Sequence, residues 1–217
     1  MKGESDKLRI MVSSTVYGIE ELLDRIYTLL ASFGYEVWMS HKGTVPVHSN
    51  RTAFENCLQA VKDCDLFLGI ITTRYGSGQN PKDPSSLSIT HQEIRKAIAL
   101  NKPRWLLAHE NVVFARTLLN NLNYRGKTGR LRLSLKKTPV FEDLRVIDLY
   151  EDAIIDREAS EEIPLDERKG NWIQKFRSND DGTLYVNAQF FRYQEVEEFI
   201  KENFQNTLAF QRNGGDV

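Results

Sequence analysis

The acidic side chain of Glu93 is the group in this 217-residue chain whose position best suits chemistry. Thr90 precedes it by three residues, the spacing of a capping box, so a helix is predicted to begin at His91 and to end before Pro103. Glu93 then lies in the first turn, where the helix dipole favours an ionised carboxylate. Such a carboxylate could act as a nucleophile, or it could only cap the helix. The apolar stripe of this predicted helix consists of Ile94, Ala97 and Ile98.

Two further segments carry polar groups that suit a ligand, and each directly follows a short apolar run. Hydroxyl groups at the start of a helix can bind a phosphate or ribose oxygen, but they are also natural helix caps. The second segment combines an arginine, an aromatic ring and glycines, which in the simplest interpretation only form a turn. The candidate ligand-binding residues of the two segments are Ser13, Ser14, Thr15, Tyr17, Thr72, Arg74, Tyr75 and Gly76.

Short buried strands alternate with amphipathic helices over the first 122 residues. This alternation is typical of a parallel sheet with helices on both faces, which predicts an α/β, doubly wound fold. In a flavodoxin-like strand order, ligands bind between the carboxyl ends of the first and third strands, where the polar segments and the helix of Glu93 should meet. The strands are predicted at 8–13, 35–39, 66–71 and 104–108, and the helices at 19–33, from Ser49 or Asn50 to Val61, 91–102 and 112–122.

The pattern weakens beyond residue 122. We predict one domain over 1–217, with an irregular excursion at about 123–183 and a frayed tail at 211–217. The basic segment Tyr124–Lys137 could contact nucleic acid, but a solvated hairpin fits better because the whole chain is not basic. The remaining predictions are a strand at Leu144–Leu149, a helix at Trp172–Phe176, an extended segment at Leu184–Phe190, and a final helix at Gln194–Phe204 with Val196, Phe199 and Ile200 inward.

The composition limits the classes of partner. With 29 basic and 30 acidic residues, the chain has no overall attraction to nucleic acid or to an anionic membrane. It contains no apolar run of membrane-spanning length and no signal-peptide pattern, so a cytoplasmic location is predicted. Cys57 and Cys64 fall on one predicted helix and are expected to be buried thiols. Because His41 and His48 have no metal-ligand companions and His91 has no evident acid/base partner, we predict neither a metal site nor a required cofactor.

Three segments resemble a known family. They are residues 10–25 (Ile-Met-Val-Ser-Ser-Thr-Val-Tyr-Gly-Ile-Glu-Glu-Leu-Leu-Asp-Arg), residues 65–70 (Asp-Leu-Phe-Leu-Gly-Ile) and Arg74-Tyr75-Gly76. In these segments the chain resembles the "SST" domain of unknown function 4062, and the resemblance extends over roughly the first 115 residues. That family often stands before nucleoside-triphosphatase and repeat modules in large signalling or defence proteins. The resemblance therefore implies a signalling or defence setting, without implying a chemistry.

A second, more distant resemblance concerns the helix from Glu93 to Pro103 (Glu-Ile-Arg-Lys-Ala-Ile-Ala-Leu-Asn-Lys-Pro). It is similar to the nucleophile helix of nucleoside 2-deoxyribosyltransferases. The wider group includes the TIR domains that cleave NAD, which are similar to this chain in fold and in a glutamate at this edge. The resemblance implies that Glu93 attacks the anomeric carbon of a ribosyl group or stabilises positive charge there. The residues implied in binding ribose hydroxyls or phosphate are Ser13, Ser14 and Thr15, and those implied in stacking on the base are Tyr17 and Tyr75.

The leading hypothesis from the sequence is cleavage of the N-glycosidic bond of NAD or another nucleotide, with Glu93 catalytic, in an effector or sensor of defence or signalling. One alternative is a non-catalytic, TIR-like interaction module that forms homo-oligomers or docks onto a signalling protein. The other is a sensor that binds a nucleotide at the same cleft without turnover. In each case NAD or the nucleotide is a ligand rather than a cofactor, and neither a membrane nor nucleic acid is expected as a partner.

Overall fold

Five parallel strands form the centre of the computed structural model, which describes residues 7–78, 86–133, 140–154 and 172–203. The strands run side by side in the order β2-β1-β3-β4-β5, with every neighbouring pair parallel. This order reverses direction between β1 and β3, as in flavodoxin-like folds. The strands are β1 (Arg9–Ser14), β2 (Glu36–Met39), β3 (Leu66–Ile71), β4 (Arg104–His109) and β5 (Ile173–Phe176).

Helices connect the strands and cover the sheet. The described ranges contain α1 (Glu20–Ser32), α2 (Ala53–Asp63), α3 (Ile89–Ala99), α4 (Glu110–Asn121), α5 (Gly126–Arg130), α6 (Arg145–Ile154), α7 (Asn179–Phe190) and α8 (Tyr193–Asn203), with a short 3₁₀ helix at Ser40–Lys42. Helix α2 begins at a capping box between Thr52 and Glu55, so the predicted caps Ser49 and Asn50 are wrong. No helix in these ranges has the length and apolar character needed to cross a membrane.

The two faces of the sheet are covered by different helices. Successive residues of a strand point to opposite faces, so Ile10 and Val12 of β1 pack with α1, α7 and α8, whereas Met11 packs with α2, α3 and α6. The prediction of a doubly wound α/β fold is therefore confirmed. By the same alternation, the side chain of Ser13 points to the face of Met11, toward α3.

Three predicted elements in the C-terminal third are wrong. Residues 145–149 of the predicted strand Leu144–Leu149 belong to α6, because the apolar pattern continues at helical spacing to the buried Ala153. Residues Trp172–Phe176 form the edge strand β5 and its lead-in instead of a helix. Residues Leu184–Phe190 lie in α7, where Val186 and Phe190, four residues apart, are buried while Leu184 is exposed.

The predicted excursion at 123–183 contains regular structure in its described parts. Helices α5 and α6, strand β5 and the start of α7 all lie within it, and α5 occupies part of the predicted basic hairpin. The final helix lies close to its predicted position, with Val196 and Ile200 inward, but Phe199 is about half exposed. The predicted frayed tail at 211–217 lies outside the described residues.

Gly69 lies in the middle of β3, beside Ser13 of β1 in the sheet register. A Cβ atom at this position would lie 2.7 Å from the side chain of Leu106 and 3.3 Å from that of Ile94 in α3. Only glycine therefore allows α3 to approach β3 this closely. Since Glu93 directly precedes Ile94, this close approach also sets how near Glu93 comes to the sheet.

A buried ion pair joins the opposite, amino-terminal ends of β1 and β3. The guanidinium of Arg9 donates to both carboxylate oxygens of Asp65, at 2.9 and 2.8 Å, and the Arg9 backbone N–H donates to the same carboxylate at 2.9 Å. The Arg9 guanidinium also lies over the ring of Trp38 in β2, 5.4 Å from its centroid. Strands β2, β1 and β3 are thus joined at their amino-terminal ends, far from the candidate site.

Candidate functional site

A pocket opens at the carboxyl-terminal edge of the sheet, beside the point where the strand order reverses. Its volume is about 370 Å³, within the range of small-molecule sites. The loop after β1 forms one wall and the start of α3 forms another, so the location predicted from strand ends contains a cavity. The pocket is lined by residues 12–17, 39–41, 76–77 and 89–90, together with Leu23, Cys57 and Glu93.

Glu93 lies in the second turn of α3, not in the first as predicted. The helix begins at Ile89, and the hydroxyl of Ser88 caps it by accepting from the backbone N–H of His91 at 3.2 Å. The capping box predicted between Thr90 and Glu93 is therefore wrong. Thr90, Glu93 and Ala97 recur at helical spacing on the buried side of α3, so the Glu93 side chain points toward the sheet and the pocket.

The hydroxyl of Ser13 donates a hydrogen bond of 2.5 Å to the Glu93 carboxyl. Both side chains are almost completely buried, with residue exposures of 2% and 4%. Ser13 reaches Glu93 because its side chain points to the face of the sheet that α3 covers. The two predicted site residues Ser13 and Glu93 are thus brought into direct contact.

Burial raises the pKa of Glu93 above its ordinary value, because a charged carboxylate is poorly solvated there. The hydrogen bonds from Ser13 and from the Cys57 thiol act in the opposite direction and are the smaller influences. The expectation of a carboxylate kept ionised by the first turn of its helix is therefore wrong. The carboxyl of Glu93 instead takes up a proton more readily than an exposed glutamate.

Four other predicted residues also line the pocket: Ser14, Thr15, Tyr17 and Gly76. The hydroxyl of Ser14 donates to the backbone carbonyl of Thr15 at 2.9 Å, so it is already used within the loop. Tyr17 is 76% exposed at the pocket mouth, where its ring is accessible to a ligand. Gly76 has a φ of +89°, and a Cβ atom there would lie 2.6 Å from the side chain of Thr15.

The remaining predicted residues hold the loop instead of lining the pocket. The Thr72 hydroxyl hydrogen-bonds to the Thr15 hydroxyl at 2.6 Å and accepts from the backbone N–H of Arg74 at 3.1 Å. The guanidinium of Arg74 forms an ion pair with Glu142. Tyr75 is buried, so the structure gives no support to the idea that its ring stacks on a ligand base.

His91 is buried and has two partners, which corrects the expectation of a helix residue without an acid/base partner. Its Nδ1 lies 2.8 Å from the Tyr75 hydroxyl, and its Nε2 lies 3.0 Å from the carboxylate of Asp152 in α6. Lys127 and Arg95 also approach that carboxylate, at 3.1 and 4.0 Å. This cluster joins α3 to α6 behind the pocket.

The lining also includes residues that were not predicted as site residues, among them Ser40, His41 and Cys57. Ser40 and His41 directly follow β2, so the rule that ligands bind at strand carboxyl ends could have identified them. Cys57 could not be identified in this way because it lies on α2, and only the packing of α2 against α3 brings its thiol to Glu93. Burial and the neighbouring Glu93 raise the pKa of this thiol to about 11.

Both cysteines are free thiols, Cys64 buried and Cys57 partly buried. Within the described ranges, no three side chains of the metal-binding types His, Cys, Asp and Glu form a group suited to a metal ion.

Comparison with known proteins identifies a family. Residues 9–205 match the sequence model of the domain of unknown function DUF4062. None of the curated proteins matches the chain. A solved structure of a CMP N-glycosidase from Clostridium botulinum is similar at 14% identity, covering 83% of this chain and 98% of that one with a TM-score of 0.40. This similarity is too low to transfer a function.

Proposed function

The chain belongs to the DUF4062 family, which has no assigned activity, and from that premise we propose its function from the pocket itself. We propose that the protein cleaves the N-glycosidic bond of a nucleoside or nucleotide, such as NAD, with Glu93 as the catalytic residue. The observation that carries the proposal is the position of the Glu93 carboxyl in the pocket wall, bound to the Ser13 hydroxyl. The guanidinium of Arg95, two residues further along α3 than Glu93, lies 4.0 Å from the carboxylate of Asp152.

The chemistry requires a carboxylate at the anomeric carbon. Cleavage of the C1′–N bond passes through a state in which positive charge develops on C1′ and the ring oxygen. In the nucleophilic form of the reaction, an oxygen of Glu93 bonds to C1′ while the bond to the base breaks and the base leaves with the electron pair. Water then hydrolyses the resulting ester, which restores the carboxyl and releases the sugar.

The buried position of Glu93 supports this role. A carboxylate that is poorly solvated gains more from an adjacent positive charge than one in water does. The short hydrogen bond from Ser13 orients one oxygen of the carboxyl in the pocket wall. In this proposal Ser14 and Thr15 contribute polar oxygens near the sugar, and Tyr17 stacks on the base at the pocket mouth.

An assay of base release tests the proposal. The wild type and the variant Glu93→Gln are incubated with adenosine, uridine, nicotinamide riboside, the corresponding 5′-monophosphates and NAD, and the free base is measured. We expect the wild type to release base and Glu93→Gln to be slower by at least about a hundredfold, because the amide can accept from Ser13 but cannot attack.

The matched control is Glu195→Gln, which removes an exposed carboxylate on α8, far along the chain from the pocket residues. It should retain wild-type activity. Equal base release by wild type and Glu93→Gln, or no release by the wild type from any of these compounds, would contradict the proposal.

A second candidate function is a sensor that binds the ligand without turnover. The raised pKa of Glu93 favours this candidate, because a protonated carboxyl can donate a hydrogen bond to a ligand but is a poor nucleophile. A rise in melting temperature with a nucleoside or nucleotide, without release of the base, would support the sensor over the enzyme. The setting in defence or signalling and the docking partner predicted from the sequence stay predictions.

A further inference from the structure

We infer that the pocket takes a nucleoside without a 5′-phosphate, in preference to a nucleotide or NAD. The inference rests on the proposed function, because it specifies the substrate class of the same site. It depends on the charges at four places around the pocket: the lining, the rim at β2, the start of α1, and the loop after β3.

The lining offers one ionisable acid and several neutral polar groups. Among the described lining residues none is lysine or arginine, and the hydroxyls come from serines and threonines such as Ser14, Ser77 and Thr90. Glu93 is the single carboxyl in this set. The ionised Glu93 would repel a phosphate brought close to it, whereas hydroxyl groups pair well with uncharged sugar hydroxyls.

The basic side chains at the β2 rim are already bound to a carboxylate. His41 lines the pocket, and its Nε2 lies 3.0 Å from the carboxylate of Asp24. The ammonium of Lys42 forms an ion pair with the same carboxylate. A phosphate at this rim would therefore have to displace Asp24 from both side chains.

The turn that leads into α1 carries negative charge of its own. A helix N-terminus after a hydroxyl-rich turn is the usual place for a phosphate. Here the backbone N–H of Gly18 donates to the carboxylate of Glu20 at 2.9 Å, and the first turn carries a second acid, Glu21. The Glu20 carboxylate therefore takes the place that the negative charge of a phosphate would need near Tyr17, whereas the Glu21 carboxylate is bound to Arg25 and Asn179.

The loop after β3 contributes no available guanidinium either, because Arg74 is paired with Glu142. The described surroundings thus favour an uncharged or cationic ligand at each of the places where a 5′-phosphate could lie. The apolar lining residues, such as Val12 and Ile89, complete a site suited to a base and a neutral furanose.

Binding to the Glu93→Gln variant is independent of turnover and tests the part of this inference that rests on the β2 rim, the turn before α1 and the loop after β3, without the charge of Glu93. Calorimetry compares three probes that differ in phosphate: nicotinamide riboside, nicotinamide mononucleotide and NAD, with adenosine and AMP as a second pair. We expect each nucleoside to bind at least about tenfold more tightly than its phosphorylated partner at 0.1 M salt, with the ratio falling as salt is raised. Equal or tighter binding of the phosphorylated probes would overturn the inference.

The variant Glu20→Ala, made in the Glu93→Gln background, tests whether the Glu20 carboxylate contributes to the preference for a nucleoside. It uncovers the N–H of Gly18 and removes a charge, so the preference for adenosine over AMP should narrow at least threefold. The control is Glu21→Ala, whose carboxylate is already paired with Arg25 and bound to Asn179, and it should leave the preference unchanged. An unchanged preference in Glu20→Ala would contradict the part assigned to the α1 terminus.

The outcomes separate this inference from the proposed function. If nucleosides bind in preference but no base is released by the wild type, the enzymatic proposal fails and the ligand class stands. If the wild type releases base faster from AMP or NAD than from adenosine or nicotinamide riboside, the enzymatic proposal stands and the ligand class fails. If none of the probes binds at millimolar concentration, both fail.

Discussion

At the scale of single residues, the environment of Glu93 imposes opposite demands. Burial beside α2 and β1 favours the protonated carboxyl, whereas attack on an anomeric carbon needs the carboxylate. The hydrogen bonds from Ser13 and Cys57 reduce the conflict but are smaller than the effect of burial. The side chain therefore destabilises the folded state whenever it is ionised, and this cost can be measured.

The free energy of unfolding should depend on pH through Glu93. Its pKa in the folded state is raised above the ordinary value of 4.5, so the folded state holds this proton more tightly than the unfolded state does. The resulting stability is fully present below the unfolded pKa and is lost as pH rises through the folded pKa. We expect Glu93→Gln to gain stability relative to the wild type from pH 4 to pH 8, as measured by urea unfolding.

The prediction would be contradicted if the difference in free energy of unfolding between Glu93→Gln and the wild type were constant with pH. It would also be contradicted if the wild type became the more stable of the two as pH rises. The Glu195→Gln variant supplies the baseline for removal of an exposed carboxylate. Base release by the wild type should change in the opposite sense and increase over the same pH interval, since the nucleophile must be ionised.

The sequence placed Glu93 at the correct edge but with the wrong helix start. Ser88 and Thr90 are both good caps and lie two residues apart, and Thr90 has the additional capping-box spacing. The start at Ser88 adds Ile89 and the buried Thr90 to the helix. The local sequence pattern does not show which residue begins α3, because the tertiary packing of α3 against the sheet determines its start.

At the scale of elements, the loop after β3 gives the pocket one of its walls. Gly76 has a φ of +89°, which only glycine adopts at low cost, and it lies against Thr15 of the loop after β1. Thr72 and Arg74 fix the rest of this loop through hydrogen bonds to Thr15. The two loops therefore hold each other in position.

The substitution Gly76→Ala should lower the free energy of unfolding by about 1–3 kcal/mol and abolish adenosine binding. The added methyl combines backbone strain with a clash against Thr15, which must move into the pocket. Its control is Gly43→Ala, where φ is +66° and no atom lies within 4 Å of the added Cβ. That variant should show the strain alone and bind adenosine normally; similar binding losses in both variants would contradict the assigned contact.

The elements beyond residue 122 show where sequence patterns were insufficient. The run Leu144–Leu149 is as apolar as a buried strand, and its helical period becomes evident only when Ala153 is included. The edge strand β5 has four residues with one fully buried side chain, too short for a clear alternation. By contrast, β1 and β3 are almost completely buried and were predicted within one residue.

At the scale of the whole molecule, an ion pair and a pocket lie at opposite ends of the central strands. The buried pair of Arg9 and Asp65 joins β1 to β3 at their amino ends, and the pocket lies at their carboxyl ends. Cavities that bind ligands disrupt close packing, so the rigidity of the central strands has to come from elsewhere. The ion pair supplies part of it.

Removal of one partner tests this role. Asp65→Asn leaves the buried guanidinium of Arg9 without a negative charge, so the free energy of unfolding should fall by about 3 kcal/mol or more in urea titrations. Glu195→Gln breaks an exposed pair with Arg192 and should have a much smaller effect, because water screens it. A small change in Asp65→Asn would indicate that the pair is unimportant for the strand edge.

The α/β class could be recognised from the sequence because the first four strands carry short apolar runs, and the family could be recognised from the segments at 10–25, 65–70 and 74–76. The charges around the pocket could not, since the pairs of Arg74 with Glu142 and of His41 with Asp24 join residues far apart in the chain or on different elements. Such pairing depends on tertiary proximity, which one sequence does not reveal.

Gly69 has a consequence for how this protein can change. It lines no part of the pocket, yet a Cβ atom there would press on Ile94 of α3, the neighbour of Glu93, whose carboxyl lies 2.5 Å from the Ser13 hydroxyl. Laboratory evolution aimed at a new specificity should therefore keep Gly69 in the sheet as well as Gly76 in the loop. The tolerance of the pocket to mutation is limited by a residue that has no side chain.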